Sequence, residues 1–111
     1  MGIPHNQQTN VNADGSQTAA TGTFDLSSLV EGRRYAKVVV TVDGGGSAAF
    51  SLKKGLASGR SVEADSVAAT AGHIFTIDDG PWSVLTVDWS GNSGADTVTC
   101  DVDVLTGYPH G

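Results

Sequence analysis

The side chains in this sequence that could carry chemistry are mainly carboxylates, because ten of the twelve acidic residues are aspartate. Asp78 with Asp79, and Asp101 with Asp103, could supply oxygen ligands to calcium. However, the spacing after Asp101 departs from the calcium-loop pattern, and strand alternation places Asp101 and Asp103 on the solvent side, where polar residues are expected in any case. The sequence therefore predicts no metal site and no cofactor.

Histidine, serine and glycine motifs give no stronger indication of catalysis. His5, His73 and His110 have no Cys, Asp or Glu at a metal-binding spacing. No Gly-x-Ser-x-Gly motif exposes a serine nucleophile, and residues 91–94 are interpreted as a hairpin turn. Residues 44–46 lack the Lys and Ser or Thr that follow in a phosphate loop. We therefore expect a protein that is not an enzyme and acts through its surfaces.

The elements that must position those surfaces are β-strands, because apolar and polar residues alternate with a period of two. In residues 35–43, for example, Ala36, Val38, Val40 and Val42 fall on one face. The thirteen valines suit a pleated sheet, and the fifteen glycines suit many tight turns. Strands are predicted over residues 18–24, 35–43, 47–54, 60–70, 73–78, 82–89 and 96–105, with a turn or one short helical turn over 25–31.

The same alternation predicts the residues of the core. Besides the face of residues 35–43, the inward positions are predicted to be Ala48, Phe50, Leu52, Phe75, Ile77, Leu85, Val87, Trp89, Val98, Cys100, Val102 and Val104. Cys100 is the single cysteine, so no disulfide can form within the chain, and we expect a buried thiol. The fold class predicted is all-β, a single β-sandwich or jelly-roll-like domain of about seven to eight antiparallel strands.

The predicted domain spans residues 18–111 and is preceded by an extended N-terminal arm, residues 1–17. The arm is polar, and Ile3 and Val11 are its only sizeable apolar anchors. It therefore has no periodic face to bury. We expect it to pack on a second copy or on another protein in preference to its own domain, with Ile3, Pro4, His5 and Val11 as candidate partner-binding residues.

Charge argues against some partners and suggests others. The net charge of −6 opposes binding to nucleic acid. No apolar run approaches the roughly 20 residues of a membrane helix, so no membrane partner is expected. We expect the protein to be synthesised in the cytoplasm. Residues 1–60 carry a net charge of +2 and residues 61–111 a net charge of −8. The two halves of the chain thus have opposite sign.

The basic side chains of the first half predict a second candidate surface. If residues 35–43 and 47–54 form a hairpin around Gly44–Gly46, Lys37 lies opposite Lys53 on an exposed face. Together with three neighbours these residues form a predicted basic stripe, composed of Arg33, Arg34, Lys37, Lys53 and Lys54. It would suit an acidic partner, including the chain's own acidic half. The alternative is a solvated face with a different register.

Trp82 is the last candidate partner-binding residue. It shares a face with Val84 and Thr86, opposite the predicted core face, and follows Pro81. An exposed tryptophan in this position is a good interface anchor.

The polar arm and the Gly-rich Val/Thr strands, with segments such as residues 35–42 (YAKVVVTV) and 80–89 (GPWSVLTVDW), resemble small virion proteins of tailed bacteriophages, especially capsid decoration or cement proteins. This resemblance implies a non-enzymatic β-domain in the virion. Such a domain would bind the outside of the assembled capsid as an oligomer and stabilise it. Its partners would be the major capsid protein or another virion protein, and the arm would lie on a capsid subunit or a neighbouring copy.

Two alternatives remain at this point. Within the same class, the chain could be a component of a phage tail, baseplate or fibre. In a different class, it could be a carbohydrate-binding β-sandwich, for which Tyr35, Trp82 and Tyr108 would form a flat platform.

Overall fold

Eight strands and one short helix form the part of the chain that the structure describes. The structure is a computed structural model, and it describes residues 8–31, 35–93 and 96–105. In chain order the elements are β1 (Gln8–Gln17), β2 (Gly22–Asp25), α1 (Ser27–Val30), β3 (Lys37–Asp43), β4 (Ala49–Gly55), β5 (Ser61–Val67), β6 (Gly72–Ile77), β7 (Val84–Ser90) and β8 (Val98–Leu105). The helical turn predicted over 25–31 and the strand predicted within 60–70 are both confirmed.

The strands form two four-stranded antiparallel sheets. The first sheet has the order β1-β8-β3-β6, and the second has the order β2-β7-β4-β5. The pairing is nested, because β1 pairs with β8, β2 with β7, β3 with β6 and β4 with β5. This is a jelly-roll arrangement, in which one long folded ribbon rolls up into a sandwich. The predicted fold class, an all-β sandwich or jelly roll, is confirmed.

The core lies between the sheets and consists of the side chains that alternation placed inward. Val38, Val40 and Val42 are buried in the first sheet, as predicted, whereas Ala36 is exposed because β3 begins only at Lys37. All of the other predicted inward residues are buried, namely Ala48, Phe50, Leu52, Phe75, Ile77, Leu85, Val87, Trp89, Val98, Cys100, Val102 and Val104. Phe24 of β2, Val30 of α1 and Leu26, which lies between the two elements, complete the core.

The predicted hairpin around Gly44–Gly46 is wrong. β3 belongs to the first sheet and β4 to the second, so this segment crosses from one sheet to the other. An alternating strand followed by glycines precedes both hairpins and crossings between sheets, so the local pattern does not distinguish the two. As a consequence Lys37 lies opposite Leu105 in the first sheet, whereas Lys53 lies opposite Thr86 and Glu63 in the second.

The turn predicted at residues 91–94 is also a crossing, because β7 and β8 lie in different sheets. Asn92 explains how this crossing is held, since it is the buried polar residue of the described segments, 4% exposed. Its amide nitrogen donates to the carbonyls of Ala19 (3.3 Å) and Asp96 (3.0 Å). Its Oδ1 accepts from the backbone N–H of Gly45 (3.3 Å). One side chain therefore joins three inter-strand connections at this end of the sandwich.

Residues 8–17, which the sequence assigned to an arm outside the domain, form the edge strand β1. Their backbone pairs with β8, from Gln8 opposite Leu105 to Gln17 opposite Val98, with an irregularity between Asn12 and Ser16. Backbone hydrogen bonds to β8 compensate for the scarcity of apolar side chains that made this segment look unsupported. Residues 1–7 lie outside the described segments.

None of the described helices is long and apolar enough to cross a membrane.

Candidate docking end of the sandwich

One end of the sandwich gathers several of the side chains singled out by sequence. At this end β1 begins opposite the end of β8, and the backbone N–H of Ala36 donates to the carbonyl of Leu105 (2.7 Å). The loop between β6 and β7 joins the end of β4 here, because Ser83 N–H donates to the Gly55 carbonyl (2.9 Å). We call this the α1 end; it comprises α1, residues 35–36, the end of β4 from Lys54, the β4–β5 connection, the start of β5 as far as Val62, and residues 78–83.

A polar cluster around Asp79 organises the α1 end. The indole N–H of Trp82 donates to Asp79 Oδ1 at 2.8 Å. Lys54 Nζ donates to both carboxylate oxygens at 3.0 Å and lies 4.8 Å from the centroid of the Trp82 ring. The Trp82 hydrogen bond, followed by that of Lys54, holds the pKa of Asp79 below its ordinary range. Indole and ammonium thus share one carboxylate.

The backbone of the same turn is anchored by Tyr35. Its hydroxyl donates to the Asp79 carbonyl at 3.0 Å, and partial burial raises the pKa of the phenol. Gly80 follows with φ of +129°, a conformation that favours glycine, and the Gly80–Pro81 bond is cis. A Cβ at Gly80 would also overlap the Tyr35 hydroxyl. The turn therefore requires glycine for both its conformation and its space.

Trp82 is more enclosed than the sequence predicted. It is half-buried and packs against the core, as does Tyr35. Because Lys54 lies over the Trp82 ring and Asp79 binds both aromatic residues, the two rings belong to a packed cluster. An open sugar-stacking platform would need them exposed. Tyr108, the third member of that predicted platform, lies outside the described residues.

Lys53 belongs to a different surface, the outer face of the second sheet. Its Nζ pairs with Asp88 Oδ2 at 2.8 Å, and Thr23 donates to Asp88 Oδ1 at 2.6 Å. Burial raises the pKa of Asp88, but the hydrogen bonds from Lys53 and Thr23 outweigh it and leave this pKa below its ordinary range. The hydrogen bond with Asp88 correspondingly raises the pKa of Lys53.

A shallow groove of about 300 Å³ lies on the same face, between β4, β5 and β7. Ser51, Glu63, Ser66, Asp88 and Ser90 contribute polar atoms to its lining, and Ser51 donates to Glu63 at 2.7 Å. Its two carboxylates already have partners, since Glu63 accepts from Ser51 and Asp88 binds Lys53 and Thr23.

The structure brings together only part of the predicted partner-binding set. Lys54 and Trp82 meet at the α1 end, whereas Lys37 and Lys53 lie on the outer faces of opposite sheets, so the predicted basic stripe is not one surface. Val11 lies in β1, opposite Val102. Ile3, Pro4, His5, Arg33 and Arg34 lie outside the described residues.

Sequence reasoning missed the exposed apolar residues. In the described segments the large hydrophobic side chains that are exposed are Leu56 (58%), Val62 (67%) and Ile74 (59%). Leu56 and Val62 belong to the α1 end, because Val62 lies opposite Lys54 in the β4–β5 ladder. Ile74 lies on the edge strand β6. Alternation from the predicted inward Phe75 and Ile77 could have identified Ile74 as outward-facing.

Within the described segments no three His, Cys, Asp or Glu side chains are grouped as a metal site would require.

Comparison with known proteins gives the fold without a family. No family model matches the chain, and no curated protein matches it in sequence. Among solved structures it resembles a Bacillus endospore appendage protein, from a family of disulfide-linked pili, with 13% identity and a TM-score of 0.51 over 96% of this chain and 93% of that chain. It is also similar to AlgX of Pseudomonas aeruginosa (11%, TM-score 0.48, 86% of this chain and 25% of that chain) and to a mutant family 29 carbohydrate-binding module (13%, 0.45, 96% and 80%). At such identities the pilus protein supports the β-sandwich fold alone.

Proposed function

We propose that this protein is a non-enzymatic structural component of a bacteriophage virion, a decoration protein that binds the outside of the capsid and stabilises it. The resemblance of the sequence to small virion proteins suggests this role. The observation that carries the proposal is that two of the three exposed large apolar side chains in the described segments, Leu56 and Val62, lie at the α1 end, where Val62 is opposite Lys54 of the Asp79 cluster.

The α1 end has the properties of an interface. Covering an exposed apolar side chain with a partner is energetically favourable. The contribution to binding free energy is largest when the apolar anchor is surrounded by ordered groups that exclude water. Leu56 and Val62 are such anchors, and the contacts among Lys54, Asp79 and Trp82 hold the neighbouring surface in one conformation. A partner would therefore meet a largely preformed surface.

The arm fits the same orientation. β1 begins at the α1 end, opposite Leu105. Residues 1–7 are therefore joined to the domain on the side that we propose faces the shell. In this proposal they lie on a capsid subunit or on a neighbouring copy, and Ile3, Pro4 and His5 make those contacts. Arg33 and Arg34 directly precede Tyr35 of the same end and would face acidic groups of the shell.

The proposal is tested by co-sedimentation with capsids purified from phage that lack this chain. Wild-type protein should sediment with the shells, and Leu56→Asp and Val62→Asp should lose about tenfold or more of their affinity, because a charge at an apolar anchor costs at least the anchor's burial. The matched control is Thr97→Asp, an exposed position at the opposite end.

Failure of wild-type protein to bind shells would refute the decoration role, and so would unchanged binding by both α1-end variants. Immunogold labelling of intact virions adds location. Label on the tail or baseplate would favour the tail-component alternative.

A further inference from the structure

The outer edge of β6 is the least protected edge in the described part of the sandwich. The four edge strands are β1 and β6 in the first sheet and β2 and β5 in the second. Charged residues occur in β1 (Asp14), in β2 (Asp25) and in β5 (Glu63 and Asp65), whereas β6, with the sequence GHIFTI, has none. Charges, prolines and bulges are the usual means by which an edge strand avoids pairing with another chain.

The pairing of β6 is also regular. Its ladder with β3 runs without a bulge from Val38 opposite Ile77 to Asp43 opposite Gly72. The ladder of β5 with β4, in contrast, shifts register after Leu52. A regular strand presents its outer N–H and C=O groups in a straight row, which is the geometry that strand addition requires.

Ile74 gives this edge an apolar contact. It lies on the outer face of the first sheet opposite Thr41 and is 59% exposed. Its neighbours His73 and Phe75 point to the other face, where their rings meet edge-on at 4.7 Å. A β-branched side chain at an edge is best buried by another side chain across a strand pair.

We propose that β6 pairs antiparallel with β6 of a second copy, across a two-fold axis that passes beside Ile74. This register places Ile74 opposite the same residue of the second copy and Gly72 opposite Thr76. The axis is perpendicular to the sheet, so outward side chains meet outward side chains. The first sheets of the two copies then join into one continuous eight-stranded sheet. This dimer would be the homo-oligomer expected of the proposed virion protein, and in that respect alone the inference rests on the proposed function.

A second copy is favoured as the occupant because β6 is uncharged and self-complementary in the proposed register. Two molecules of net charge −6 repel each other most strongly where acidic residues meet. The uncharged β6 is the edge at which that repulsion is weakest, and its sequence is self-complementary in the proposed register. An isologous contact of this kind closes at the dimer.

Light scattering after size-exclusion chromatography, over a wide range of protein concentration and without capsids, tests the dimer. Wild-type protein should shift from monomer to dimer as concentration rises. Ile74→Lys, which places a charge on the exposed edge, should weaken dimerisation about tenfold or more. Thr97→Lys is the matched control, because Thr97 is also exposed but directly precedes β8, which β3 separates from β6, and its dimerisation should equal that of wild type.

Amide exchange adds the location of the contact. Exchange of residues 72–77 should slow as wild-type protein becomes dimeric and should not slow in Ile74→Lys. A wild-type monomer at every concentration, or a dimer that survives Ile74→Lys, would overturn the proposal. Because capsids are absent, a failed dimer leaves the docking result intact, and failed docking leaves the dimer result intact.

Discussion

At the residue scale, two ion pairs connect the oppositely charged halves of the chain. Lys53 pairs with Asp88, and Lys54 pairs with Asp79. The jelly-roll topology places β4 beside β7, so cations of the first half meet carboxylates of the second. The hypothesis that the chain's own acidic half would receive its basic residues therefore holds for these two lysines.

The Lys54–Asp79 pair predicts a specific dependence of stability on pH. The folded-state pKa of Asp79 is lowered, chiefly by Trp82 and then by Lys54, so its contribution is present above the unfolded pKa. That contribution is lost as pH falls through the lowered folded value. Asp79→Asn should cost up to about 1 kcal/mol of unfolding free energy at neutral pH, a small value because the carboxylate is half exposed.

Denaturant unfolding of wild type and Asp79→Asn between neutral pH and about pH 2 checks this. The difference between the two proteins should shrink as the solution becomes acidic. Asp78→Asn, the adjacent residue outside the cluster, is the control. A difference that stays constant with pH would mean that the carboxylate charge has no stabilising role.

Residue-level prediction from sequence succeeded where only alternation mattered. The inward positions of β3, β4, β6, β7 and β8 follow from a period of two, and the buried thiol of Cys100 follows from the same pattern. The cluster of Tyr35, Lys54, Asp79 and Trp82 could not be predicted in this way. Its members come from three separate segments that only the strand order brings together.

At the element scale, the sequence predicts strands well and their partners poorly. Turn residues after β3 and after β7 are consistent with hairpins, yet both segments cross between sheets. Hairpin and crossing differ only in long-range pairing, which a local pattern does not contain. The position of β1 was missed for a related reason, since backbone pairing to β8 needs no apolar periodicity.

The contact of β2 with β7 offers an element-scale prediction. Gly22 lies opposite Trp89, and a Cβ at Gly22 would overlap the indole ring. The ring cannot easily move, because its N–H donates to the Ala19 carbonyl at 3.0 Å and its face packs on Phe24 with centroids 4.6 Å apart. Gly22→Ala should therefore lower the free energy of unfolding by about 1–3 kcal/mol.

Chemical denaturation measures this loss. Gly46→Ala serves as the control, because a Cβ at Gly46 meets open space and should change stability little. If Gly22→Ala proves within about 0.5 kcal/mol of wild type, the close packing of Trp89 on β2 is wrong.

At the scale of the whole molecule, the two proposed surfaces are geometrically independent. The α1 end lies at one end of the strands, whereas the β6 edge runs along their length. Antiparallel pairing through β6 points the two α1 ends in opposite directions. One copy of a dimer would then bind the shell while the other copy projects away from it. Disruption of the dimer should therefore reduce the amount of protein bound to capsids at saturation without abolishing docking.

The boundary of the folded domain gives a final prediction that separates arm from sheet. Deletion of residues 2–7 should leave the unfolding free energy unchanged and weaken capsid co-sedimentation, because these residues precede β1. Deletion of residues 2–17 removes β1 and leaves β8 with an unpaired edge. Each ladder hydrogen bond is worth roughly 1 kcal/mol, so this deletion should cost several kcal/mol and promote aggregation. Denaturant unfolding measures the loss of stability, and light scattering measures the aggregation. Equal stability of the two truncated proteins would mean that residues 8–17 belong to the arm and not to the folded sheet.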